Sequence, residues 1–267
     1  MTGRWDRDDV LDAFEEAAGW YLAVVERVGA AQWVGRGLGD WTVRELVGHA
    51  ARALSTVEEY LVVPDDGSGA PSSDPAPVDD DPVADAAAYF LGLRDNPALH
   101  RDVAERGRQA GAALPGDEAS ARREVAGLAG RVIALVRGAP DGASFTGRFG
   151  HIPFAAYLLT RTVELVVHGV DIARACGQDP EPPDRAASAA VAVVGQLGGA
   201  PWRGRGGAGR PGRPVPAPVG LRRLRLTDRR VQSTNVLLRR AGHVGGGGAA
   251  SPPAASVGAC PSPRPSR

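Results

Sequence analysis

The segment that most constrains this chain runs from Pro153 to Cys176, PFAAYLLTRTVELVVHGVDIARAC. Its apolar residues, from Leu158 and Leu159 through Val163, Leu165, Val166 and Val170 to Ile172, occupy almost every side of a helix. They leave one polar line: Arg161, Glu164, His168 and Asp171, at spacings of three, four and three. A helix of 3.6 residues per turn puts those four on a single face. A helix apolar nearly all round is buried by its neighbours. A carboxylate carried into such a place must be paired or must coordinate a metal. Pro153 suits the first turn of this helix, and Gly177 the position just past its end.

A second strong signal lies at Thr42-Val43-Arg44-Glu45, a capping box with Thr42 as N-cap and Glu45 three residues on. Trp41 and Leu46 fit the accompanying hydrophobic staple. The helix that follows is expected to reach about Val63, with Leu46, His49, Ala50, Ala53, Val57 and Leu61 on one face. Residues 6–29 repeat the pattern through Val10, Phe14, Ala17, Tyr21, Val24 and Val28, with Asp8, Asp9 and Asp12 near the start. Helix is also expected over 83–111, with a break at Asn96-Pro97. Another is expected over 117–137, with Val125, Leu128, Val132 and Leu135 as its apolar stripe. Residues 64–82 and 138–150 read as loops. Four main helices with long connections imply a mainly α chain built on an antiparallel four-helix bundle.

Beyond residue 178 the character changes. A short Ala/Val-rich helix is expected at 184–197, and Pro214 to Asp228 could supply one strand of a small, partial α/β region spanning 184–228. Residues 229–267 are rich in Gly, Pro, Ser and Arg and read as a disordered tail. The net charge of zero hides this division. Residues 1–197 carry 30 of the 31 acidic residues, whereas residues 198–267 carry 13 of the 31 basic residues and one acid, Asp228. Every basic residue is Arg, as a GC-rich coding sequence would give, which weakens the case for nucleic-acid binding. Two cysteines, Cys176 and Cys260, cannot make a disulfide scaffold or a Cys-rich zinc site, and a reducing cytoplasm is the expected compartment. Met1 to Val10 lacks the apolar stretch of a secretory signal, and no run is long enough for a transmembrane helix.

The chemistry follows from the two strong helices. Glu164 and His168, four residues apart, can point at one ion, and His49 on the core face of the other helix is the natural third ligand. Two His and one Glu with an open fourth position is the pattern of a catalytic zinc site. Asp171 would accept a hydrogen bond from the free imidazole nitrogen of a ligand His. Blander readings exist for each part: an exposed Glu164/His168 pair with Arg161, a hydrogen-bonded core His49, a solvated Asp171. Arg161 either pairs with Glu164 or anchors a substrate carboxylate. His151, just before the last helix, is a candidate for the site mouth, and Cys176 reads as packing.

The stretch Trp33, then Asp40-Trp41-Thr42-Val43-Arg44-Glu45-Leu46-Val47-Gly48-His49, resembles the first signature of the mycothiol-dependent maleylpyruvate isomerase family. Phe149 to Pro153 and Arg161 to Asp171 resemble its second. The resemblance covers about residues 6–178. It implies a DinB-like four-helix bundle with a divalent metal, usually zinc, held by His49, Glu164 and His168. It also implies mycothiol as thiol cofactor and a small electrophilic, maleylpyruvate-like substrate. Two departures stand out. The turn before the first Trp-Thr is Gly37-Leu38-Gly39-Asp40, where many members have Cys-Pro-Gly. The family's small C-terminal α/β domain reads as degenerate here, or as the product of a reading-frame shift. The sequence leaves isomerase and S-transferase equal, with a noncatalytic, metal-stabilised binding module as the competing reading. Oligomeric state is open.

Overall fold

The computed structural model describes residues 5–63, 81–94, 97–147 and 150–199. Its helices are α1 (Arg7–Glu26), α2 (Val43–Tyr60), α3 (Pro82–Arg94), α4 (Pro97–Ala113), α5 (Glu118–Arg137), α6 (Phe154–Ala175) and α7 (Asp184–Gly199). A small antiparallel sheet, β1 (Leu61–Val62), β2 (Ser144–Gly147) and β3 (Gly150–Pro153), is ordered β1-β2-β3. The chain is thus mainly helical, as expected, with the sheet as an addition. No described helix is long and apolar enough to cross a membrane.

Helix α6 is the axis of the fold. Every residue from Phe154 to Thr160 is buried, and α1, α2, α3 and α7 all pack on it. Thr160 and Thr162 satisfy their hydroxyls on the carbonyls of Tyr157 and Leu158, so neither threonine brings an orphan hydroxyl into the core. The direction of each neighbour is fixed by its contacts. Arg7 lies over Phe154 and Gln178 reaches Val24, so α1 runs parallel to α6. Tyr60 meets Tyr157 and His49 meets His168, so α2 runs antiparallel to α6. Arg137 meets Asp12 while Arg122 reaches Val28, so α5 is antiparallel to α1. The long excursion between α2 and α5 is what allows α5 to start at the same end as α2.

Local signals explain the helix limits. Asp6 caps α1, accepting from the Asp9 N–H at 2.8 Å. Thr42 and Glu45 close the capping box, with the Thr42 N–H donating to Glu45 Oε2 at 2.7 Å. The stripe from Val10 to Val28 is wholly buried. The break near Asn96-Pro97 falls between α3 and α4.

Three local expectations are corrected. The α2 helix ends at Tyr60, and Leu61 and Val62 enter the sheet. Pro64 follows Val62 and Val63, and both the β-branching and the pre-proline position disfavour helix. Residues 138–150 are not simply a loop: β2 pairs with β3, with Phe145 opposite Ile152 and Thr146 opposite His151. Leu135 is 38% exposed, and α5 instead buries Ala121, Val125, Ala129, Val132 and Val136.

Helix α7 packs on α1, α3 and α6, and its Ala186, Ala189, Val193 and Leu197 belong to the same hydrophobic core as the bundle. The expected strand at 214–228 and the tail at 229–267 lie outside the described residues.

Candidate metal centre

Three side chains converge where α2 crosses α6. Ligand atoms of His49, Glu164 and His168 all lie within 4.8 Å of one another. His168 Nε2 is 3.2 Å from Glu164 Oε2, and the two imidazole rings stand edge to face with centroids 4.7 Å apart. On its far side, His168 Nδ1 lies 3.4 Å from Asp171 Oδ2. That contact directs Nε2 towards Glu164 and His49, and it is the geometry by which a carboxylate fixes the tautomer of a ligating His. Glu164, His168 and Asp171 fall with Arg161 on one face of α6, as their spacing requires.

The α2 side is held by close packing. Tyr21 on α1 donates to the Val47 carbonyl at 2.8 Å, two residues before His49. A Cβ on Gly48 would stand 2.3 Å from the Gly111 nitrogen, so α4 crosses α2 backbone to backbone. Arg44 secures that crossing by donating to the Gly111, Leu114 and Pro115 carbonyls at the end of α4. Trp41 tilts over the His49 ring at 4.6 Å between centroids. A Cβ on Gly107 would stand 2.7 Å from Trp41 Cζ2 and 3.1 Å from His49 Nδ1. Gly107 is a residue the sequence reading passed over. Gly107 and Gly111, one helical turn apart in a predicted helix, were the available signal of a close backbone approach.

Burial and neighbouring charge set the protonation states. Burial, reinforced by the His168 charge, lowers the His49 pKa to about 3, so its imidazole is neutral and free to ligate. Burial alone would also depress His168, but its bonds to Asp171 and Glu164 outweigh that and raise it to about 9. Burial would raise Glu164, yet His168 and Arg161 hold it down at about 2. The cluster is one neutral imidazole beside an imidazolium–carboxylate pair. Desolvating such a pair costs several kcal/mol per ion. Leu158, Leu159, Val163, Leu165 and Ile172, each 0% exposed, contribute about 1.5–3 kcal/mol apiece on the same helix. The apolar helix can therefore carry the polar line without losing its place.

The donor set fits a divalent ion. Metal–nitrogen and metal–oxygen bonds of about 2.0–2.2 Å ask these atoms to close by less than about 1 Å each. His49 Nδ1 is buried without a hydrogen-bond partner, so the ring is held by packing rather than by a bond of its own.

The other expected residues sit differently. Arg161 makes no close ion pair with Glu164, whose carboxylate goes to His168 instead. Its guanidinium lies 4.7 Å from the Tyr157 ring centroid and 5.8 Å from that of Tyr89. His151 is exposed on β3, opposite Thr146, and is not part of the cluster. From Phe154 to Glu164 alone, α6 rises about 15 Å. Cys176 is half-buried against the core, and burial pushes its thiol pKa up, as packing would.

A mainly helical bundle with a His/Glu/His cluster between two of its helices defines a class of candidate metal-binding bundle proteins. The chain belongs to the family described as mycothiol maleylpyruvate isomerase N-terminal domain, whose model matches residues 14–173. That span contains all three residues of the cluster and Asp171. No curated protein and no solved structure matches the chain significantly.

Proposed function

We propose that this protein is a metal-dependent enzyme that uses mycothiol to isomerise a small electrophilic substrate or to join the mycothiol thiol to it as a thioether. The observation that carries this reading is the convergence of His49, Glu164 and His168 at a helix seam, with His168 buried and the other two half-buried, in a chain of this family. A divalent metal held by these three residues, zinc for preference, would supply a Lewis acid that keeps the cofactor sulfur as a thiolate at neutral pH.

The chain's own groups support that task. Asp171 accepts from His168 Nδ1 and keeps Nε2 aimed at the site. Glu164 stays ionised and His49 stays neutral across the physiological range, so each is a ready ligand. Trp41 and Gly107 close off the α4 side of His49 and exclude water there. Addition of the thiolate to a conjugated double bond forms a C–S bond and turns that double bond into a single bond free to rotate. Re-forming the double bond expels the thiolate and gives the isomer, while protonation and release of the adduct gives the transferase product. A cytoplasmic setting, where such thiols stay reduced, accords with the free Cys176.

Elemental mass spectrometry of the full chain, beside His168→Ala, tests the reading. About one zinc per chain, lost in the variant, is the stoichiometry a three-ligand site requires. Mycothiol-dependent turnover that disappears in His49→Ala would complete it. A well-folded protein that takes up no metal on reconstitution rejects it. Bound metal with no thiol-dependent turnover would make the protein a metal-stabilised binding module instead.

A further inference from the structure

One and two helical turns before the metal cluster, α6 carries Arg161 and Tyr157, whose bonding is incomplete. The Tyr157 side chain is 2% exposed, and its hydroxyl is buried with no hydrogen-bond partner. A buried hydroxyl left unpaired costs free energy that a ligand oxygen would recover. Beside it stands Arg161. Its Nε donates to Thr160 Oγ1 at 3.0 Å, and its guanidinium spans the rings of Tyr157 and Tyr89. Among the described residues no carboxylate lies within ion-pair distance of it, since Glu164 is taken by His168. A guanidinium offers five N–H donors; Thr160 and the Tyr89 side chain engage part of them, and an aromatic face satisfies none of the rest. The walls are aromatic: Phe145, Tyr89 and Tyr60 lie 4.4, 6.3 and 6.4 Å from Tyr157 between ring centroids. These rings pin Tyr157 in place, so its hydroxyl is preorganised rather than free to swing to another partner.

We propose that Arg161 and Tyr157 form a receiving site for a carboxylate of a small-molecule ligand, with the guanidinium on one oxygen and the phenol on the other. One cation and one hydroxyl match the charge and the two oxygens of a carboxylate. A phosphate would bring a second charge and a third oxygen with no donor assigned to them. Arg161 precedes Glu164 by three residues and His168 by seven, on the same face of α6. The site thus deepens the function proposed above and rests on it for its meaning, because it would hold the acid group of the electrophile next to the thiol. Its existence does not depend on bound metal.

The test is titration of benzoate, a carboxylate on a flat apolar body, into the metal-free full chain, with neutral benzamide as the control. Saturable benzoate binding is expected, with benzamide failing to compete. Arg161→Met should weaken benzoate by about ten-fold or more, the scale of a lost charge-assisted hydrogen bond. Tyr157→Phe keeps the packed ring and removes only the hydroxyl, and it should weaken benzoate by about three-fold to ten-fold. It decides the matter if Arg161→Met does not fold. Both variants should still take up zinc, so failure of the metal reading would be seen in zinc content and not in benzoate binding. No benzoate binding to the parent chain, equal binding by Tyr157→Phe, or benzamide binding as tightly as benzoate would each overturn the proposal.

Discussion

At the seam between α1 and α5, Arg137 meets Asp12 at 2.6 Å and Glu15 at 2.7 Å, and the three side chains are 38–48% exposed. Arg185 from α7 joins the same patch through Asp12 and Glu16. At the seam between α2 and α6, the Glu164/His168 contact is longer, 3.2 Å, but the side chains are 19% and 4% exposed. The shorter contacts are the weaker asset. Water and salt screen the first seam, and such pairs contribute little. In the second seam burial removes that screening, and all three protonation equilibria move far from their ordinary positions. Distance alone would rank the two seams the wrong way round. What separates decoration from a site is how much water the surrounding helices exclude.

The largest effect should come from the half-buried carboxylate of Glu164. Glu164→Gln keeps the shape of the side chain but removes the anionic ligand and the partner of His168. Metal affinity should fall by more than about a hundred-fold, beyond the 10–100-fold typical of losing an outer partner of a ligand. Zinc added to the parent chain should raise its melting temperature by mass action, and the variant should show no such rise. A variant that binds zinc as tightly as the parent would show that the ion, if any, sits elsewhere.

The same seam should respond to pH in a way the exposed one cannot. In the metal-free protein His168 keeps its proton up to about pH 9, whereas in an unfolded chain it would give it up near the ordinary imidazole value of 6.5. A group whose folded pKa is raised stabilises the fold fully below its unfolded pKa. That contribution is lost as pH rises through the folded pKa. Between those limits His49 is already neutral and Glu164 already ionised, so within the cluster His168 titrates alone. Metal-free protein should therefore lose about 1–3 kcal/mol of stability between pH 6.5 and 9. Zinc affinity should gain up to about ten-fold per pH unit over the same range, because binding displaces that proton. Denaturant titration with chelator, and zinc titration without it, would measure the two trends. A flat profile in both would mean that His168 is neutral throughout.

The two seams were unequally legible in the sequence. Thr42 and Glu45 announced the start of α2 because a capping box is local chemistry, readable four residues at a time. His49, Glu164 and His168 could be set together because helical spacing aligns two of them and the apolar surroundings say that the face is inward. Other features were not legible, since they depend on what another segment brings. β2 and β3 are four residues each, too short to display a period, and β2 exists because Leu61 and Val62 pair with it. Leu135 looked like core by spacing, yet the small Ala121 and Ala129 take the inner face because α5 packs closely there. The unpaired hydroxyl of Tyr157 is a statement about its surroundings, and no spacing along α6 encodes it.

A smaller effect should come from Gly107→Ala. The added methyl would stand 2.7 Å from Trp41 and 3.1 Å from His49 Nδ1, closer than either ring can tolerate without moving. Overpacking of this kind costs about 1–3 kcal/mol. The displaced His49 should also weaken zinc binding by about ten-fold, a loss comparable to disturbing an outer partner. Gly92, which meets nothing within 4 Å, is the control on a neighbouring helix: Gly92→Ala should leave zinc affinity unchanged. Equal effects at both positions would reduce Gly107 to an ordinary helix glycine.

The smallest effect is expected at the exposed seam, and it is the sharpest test of the comparison. Arg137 makes two short contacts across α1/α5 and sits in the last turn of α5, where a cation also suits the helix dipole. By contact geometry it should matter more than Glu164. By exposure it should not, because its charge and those of Asp12 and Glu15 stay well solvated in the folded chain. Arg137→Ala should shift the melting temperature by no more than about 2 °C and leave zinc affinity where it was. Raising the salt concentration on the parent protein should reproduce whatever shift occurs, since screening removes the same interaction. A large loss in Arg137→Ala that salt does not mimic would mean that the α1/α5 seam is held by packing of the Arg137 stem. Burial, rather than charge, would then govern both seams.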